Sequence, residues 1–125
     1  MDIDRKQILA SCLEVIKGIS DKEYQKRVWI RGDGPEVDDF DETVCNFFHD
    51  GNDIIQNYRD FEITDQQYHF LVKFRDAFDA FCRGPALKYY LPQDFIDTPE
   101  WEKITEMAKE VLKAFNYQKR SNEEF

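Results

Sequence analysis

The sequence holds few of the patterns from which a mechanism is usually read. Cysteine occurs only at Cys12, Cys45 and Cys82, each more than 30 residues from the next and none in a C-x-x-C pair. Neither a disulfide framework nor a zinc knuckle is expected, and a reducing cytoplasm is the simplest setting. No apolar run approaches the roughly 20 residues that span a bilayer. The opening MDIDRKQILASC lacks the basic start and apolar core of a signal peptide, so neither export by that route nor membrane insertion is expected. Internal repeats, low-complexity segments and long linkers are missing too. Positive charge is scarce: 17 Lys and Arg face 26 Asp and Glu, a net charge of −9. With a pI near 4.7, the chain would be repelled by nucleic acid and by an anionic membrane.

What is present suits a folded chain. Its 125 residues fit one domain, and 42% apolar with 15% aromatic content supplies a core. The negative charge is concentrated. Residues 32–62 hold ten acids against Arg59 alone, a charge of −9, whereas residues 1–31 sum to +2 and residues 63–125 to −2. A charged partner should therefore be basic.

Apolar spacing predicts an all-α, single-domain bundle of about five helices over residues 1–125, with residues 118–125 a frayed tail. Ile8, Leu9, Cys12, Val15, Ile16 and Ile19 predict a helix over 4–19. Residues 22–30 fit either a helix or a short strand, helix being favoured. Residues 31–35, RGDGP, read as a turn from which Pro35 opens the acidic helix. In that helix Val37, Phe40, Val44, Phe47 and Phe48 share one side, and Asp38, Asp39, Glu42, Asn46 and His49 share the other. Asp50, Gly51 and Asn52 read as a stop before a short helix over 53–58. The T-x-x-Q capping box of Thr64 and Gln67 starts a helix over 64–82. Residues 86–97 read as an ordered loop with one turn, and Thr98-Pro99 as the start of the last helix.

Candidate chemistry is sparse. Neither Asp33 nor Asp50 can be the first ligand of a calcium loop: from Asp50 the fifth and sixth positions are Ile54 and Ile55, and from Asp33 the third and fifth are Pro35 and Val37. No metal or cofactor is expected. His49 and His69 are better read as surface residues than as general bases, and the three cysteines as packing residues. No catalytic residue is assigned. First-turn acids complement the helix dipole, which accounts for Glu36, Asp38 and Asp39 without a partner, but the acidity runs on beyond them. The row is read as a docking surface of Asp33, Glu36, Asp38, Asp39, Glu42, Asp50, Asp53, Tyr58 and Asp60. Tyr24, Trp29, Tyr58, Tyr89 and Tyr90 lie near turns or outside clean stripes; core packing is the favoured reading for each singly, with a few of them expected as exposed anchors.

With YQKRVWIRGDGPEVDDFDETVCNFF (residues 24–48) read as helix, turn and acidic helix, the chain resembles the small acidic immunity proteins of bacterial toxin systems, such as those of contact-dependent growth inhibition. The likeness lies in size, acidity and helical make-up, and carries no family residue over. It implies a cytoplasmic, non-enzymatic protein that binds a cognate toxin domain, often a basic nuclease, and blocks it. The alternatives are an acidic adaptor for another basic protein and, less favoured, a metal-dependent enzyme.

Overall fold

Four amphipathic helices of 16 to 19 residues carry the fold in the computed structural model, which describes residues 2–89 and 91–117. They are α1 (Ile3–Ser20), α3 (Phe40–Gln56), α4 (Asp65–Arg83) and α7 (Pro99–Ala114). Each packs against its neighbours in the order α1, α3, α4, α7 and back to α1. Direction alternates around this ring. Phe40 meets Phe78 while Asn52 meets Arg75, so α3 and α4 run oppositely; Trp101 meets Phe81 while Gln67 reaches Ala114, so α4 and α7 do too. The result is an up-down-up-down four-helix bundle, and the described residues include no strand.

Local chemistry sets the helix starts. Asp2 caps α1, its carboxylate accepting from the Arg5 N–H at 2.8 Å. Thr64 and Gln67 form the expected reciprocal box on α4, at 3.0 and 2.8 Å. Thr98 caps α7, whose first residue is Pro99. The predicted helices over 4–19, 64–82 and from 98 are thus present, the last two with Thr64 and Thr98 as the expected caps and the first beginning one residue earlier, at Ile3.

Elsewhere the structure corrects the sequence reading. The acidic helix begins at Phe40 rather than at Pro35, because Asp39 in an extended conformation caps it, accepting from the Glu42 N–H at 2.8 Å. Val37 is consequently not on the buried stripe but 91% exposed. Nor does Asp50-Gly51-Asn52 stop that helix: α3 runs through it to Gln56, absorbing the separate helix expected over 53–58. Gly51 is buried there, and a Cβ on it would stand 3.3 Å from two ring carbons of Phe47. Its bare backbone admits that ring.

The ambiguous residues 22–30 are helical: α2 (Lys22–Tyr24) passes into a π-helical stretch, Gln25–Ile30. The wider π turn puts Gln25, Val28 and Trp29 together on the inside. Residues 86–97 hold two short helices, α5 (Pro85–Tyr89) and α6 (Pro92–Phe95), where one turn was expected. Through Phe95 and Trp29 these irregular segments cover the end of the bundle where Trp101 sits. The Trp101 ring lies 4.9 to 6.0 Å from those of Phe95, Phe81, Phe40 and Trp29. The expected tail from Gln118 onward falls outside the described residues.

Candidate partner-binding surface

Much of the acidic segment is occupied with holding its own loop. The Arg27 guanidinium grips Glu36 with two hydrogen bonds of 2.7 and 3.0 Å, and this contact holds the Glu36 carboxyl down at about 2. Arg31 pairs with Asp33 at 3.2 Å. Gly34, at φ +94°, lies where any side chain would collide with Arg27. Asp38 lies beyond the end of the helix on which an outward row was expected, so helical spacing does not govern it, and its carboxylate turns inward. It accepts from the Tyr24 hydroxyl at 2.8 Å, the Trp29 indole N–H at 3.0 Å and the Thr43 hydroxyl at 3.2 Å. Burial, together with that carboxylate, pushes the Tyr24 hydroxyl well above the usual phenol range. Trp29 and Tyr24 are in this way tied into the fold rather than displayed.

The remaining acids lie along α3. Asp41 and Glu42 are exposed in its first turn. Asp53 accepts from the Asn57 side chain at 3.0 Å, and Asp50 stands 3.1 Å from the exposed ring of His49. Asp60 is exposed beyond the helix end. Tyr58 is half-buried, its ring 4.1 Å from that of Tyr68.

Packing adds acids that lie outside the segment. Helices α1 and α3 run antiparallel, and three recesses follow one another along their seam. Near the start of α1, Asp2, Asp4, Arg5 and Ile8 face Asp53 and Asn57. Further along, Asp4, Gln7, Ile8 and Ser11 face Asp50 around a recess of about 360 Å³. At the far end Ser11, Glu14 and Val15 face Glu42 and Asn46, with Val37 on the rim. Arg5, already bound to Asp2 at 2.7 Å, is the one base among these linings. Sequence reading missed Asp4 and Glu14 because residues 1–31 carry a net positive charge. Their spacing on α1 gave little signal, since ten residues leave them about 80° apart around the helix, and only the packing against α3 joins them to the same seam.

The other candidate groups are dispersed. Among the described residues no three His, Cys, Asp or Glu side chains are placed to hold a metal ion. His49 and His69 are both exposed. Cys12 is buried and Cys82 half-buried, and burial pushes both thiols up to about 12, with Asp50 and Asp79 adding to it. Cys45, expected to pack inside, is exposed because it falls on the solvent side of α3 between Asp41 and His49. No helix among the described residues is long and apolar enough to cross a membrane. Comparison with protein-family models, with curated proteins and with solved structures finds no match to this chain.

Proposed function

We propose that this protein is a cytoplasmic, non-enzymatic inhibitor of the immunity type, which binds a basic toxin domain, a nuclease being the best fit, through the acidic seam of α1 and α3. The observation that supports this reading is the seam itself. Two helices with opposite net charge in their sequence segments bring Asp4, Glu14, Glu42, Asp50 and Asp53 to one seam, whose three recesses include Arg5 as their one base, Lys17, Arg27 and Arg31 lining the adjoining recess beyond Glu14. Like charges gathered this way cost stability and need a compensating gain elsewhere. A nuclease must be basic where it holds phosphate, and a carboxylate surface complements that place while speeding encounter.

The structure changes which residues belong in the test. Asp38 and Asp39 hold the loop and cap α3, so reversing them would damage the fold rather than report on binding. Asp4, Glu14 and Glu42 are exposed. Their joint replacement by Lys should leave the melting temperature within a few degrees and slow association with the basic partner by at least about tenfold at low salt. Co-expression with the product of the adjacent gene, followed by purification and a growth test, supplies that partner. Rescue of growth by the native chain and its loss in the triple variant are the expected results. Undiminished, salt-independent binding by the variant would sink the charge argument, whereas binding without any growth defect to relieve would point to an acidic adaptor.

A further inference from the structure

A few apolar side chains lie among the carboxylates of the shallow seam. Ile8 and Val15 of α1 are seven residues apart, hence two turns or roughly 10 Å, and both are half-buried in the recesses. Val37 stands at the far end of the groove, on the rim of the recess that Val15 lines. It is 91% exposed, yet it is not on a loose loop: Glu36 before it is clamped by Arg27, and Asp38 after it is held by three donors. With its backbone held on both sides, covering Val37 costs little further ordering of the chain.

We infer that the α1–α3 groove receives a basic amphipathic helix of the partner protein. The inference rests on the inhibitor reading above and adds the form of the element that docks. A helix laid along the groove with apolar residues seven apart places them over Ile8 and over the pair Val15 and Val37. Its flanking lysines and arginines then meet Asp4 and Glu14 on one wall and Glu42, Asp50 and Asp53 on the other, while their aliphatic stems cover the rim. An extended peptide is disfavoured, since the described residues offer no sheet edge to extend. The other exposed apolar pair, Leu87 and Leu91, lies beside Lys88 and not among these carboxylates.

Two defined peptides of about 18 residues test this. One carries leucines on a helical stripe and lysines elsewhere; its twin has serine at every leucine and the same charge. Binding is followed by calorimetry and by amide shifts in the full chain. The leucine peptide should bind about tenfold more tightly than its twin, with shifts centred on Ile8, Ser11, Val15, Val37 and Asn46. Val37→Ser, at an exposed position, should remove about half of that gain on a logarithmic scale while leaving the twin unaffected. Equal affinity for the two peptides, both mapping to the seam in a salt-dependent way, overturns the helix-in-groove proposal and leaves the acidic docking surface standing. Shifts confined to Leu87 and Leu91, or no binding by either peptide, also overturn it. The inhibitor reading is tested separately: it falls if the adjacent gene product causes no growth defect for the native chain to relieve, and its charge argument falls if that product binds the Asp4, Glu14 and Glu42 reversal as well as it binds the native chain.

Discussion

Single residues in this protein act as fasteners between segments that helical periodicity does not join. Gln25 is the clearest. Fully buried, it donates from Nε2 to the carbonyls of Gly18 and Ile19 at 2.9 and 2.8 Å and accepts from the Trp101 indole at 2.9 Å. Its amide thus links the end of α1, the π turn and α7. Gln25→Ala is expected to cost about 3 kcal/mol in urea unfolding, from the cavity and from the indole N–H left unpaired. Gln25→Leu, which restores volume only, should still cost about 1 to 3 kcal/mol; a neutral leucine variant would show that packing alone matters there. The Arg27 and Glu36 pair makes a prediction in pH. Since the folded carboxyl sits at about 2 against an ordinary 4.5, its stabilising contribution is complete above the unfolded value and is lost as pH falls from there toward 2. Carboxyl NMR titration should find Glu36 near that low value, and Arg27→Gln should raise it toward the ordinary range, short of it because a backbone N–H also holds the carboxylate. An unchanged titration in the variant would remove Arg27 as the cause.

At the scale of elements, what the sequence announces is local and what it conceals is tertiary. Thr64 with Gln67, and Thr98 with Pro99, mark helix starts because the groups that satisfy each first turn lie within three residues of it. The apolar stripes through Phe74, Phe78 and Trp101 are equally plain, each residue being buried. Pro35 misleads because a proline suited to a first turn is equally at home in a loop; Asp39 decides the start through its side-chain oxygen. Gly51 misleads for another reason. Flanked by Asp50 and Asn52, it carries the composition of a turn, while its purpose is visible only once Phe47 lies against it. The inward role of Asp38 is hidden in the same way, since two of its donors come from elsewhere in the chain, Tyr24 from α2 and Trp29 from the π turn. Gly51→Ala therefore sets two effects in opposition. Helix propensity favours alanine by about 1 kcal/mol, but Phe47 is fully buried and stacked edge-on to Phe74 and Phe78, so it cannot yield easily. Overpacking typically costs about 1 to 3 kcal/mol, and a net loss of roughly 1 kcal/mol in thermal or urea unfolding is expected. A stabilised variant would show that the aromatic layer is looser than its packing implies.

For the whole molecule the question is why a fold with ample aromatic core retains a surface that repels itself. Its ion pairs are mainly exposed, as with Arg31 and Asp33 or Arg83 and Asp79, and such pairs contribute only about 0 to 1 kcal/mol each. Against them stands a net charge of −9, with carboxylates from two helices facing one another across the α1–α3 seam. If repulsion outweighs pairing, salt must stabilise the native state, because mobile cations screen the seam more than they weaken the scattered pairs. Raising NaCl from about 20 mM to about 500 mM shortens the screening length from roughly 20 Å to roughly 4 Å, so the melting temperature should rise by a few degrees. General salting-out would produce part of such a rise in any protein, and the variant separates the two contributions. Replacing Glu14 and Glu42 by Lys supplies cations within the seam itself, so the variant should start at a higher melting temperature in low salt and gain less from added NaCl. Equal gains in both chains would mean that the seam carboxylates are already relaxed by solvent, and that their gathering has no cost for a partner to offset. A melting temperature that falls with salt would mean that pairing dominates, and would remove the energetic reason for reading this face as unfinished until a basic surface covers it.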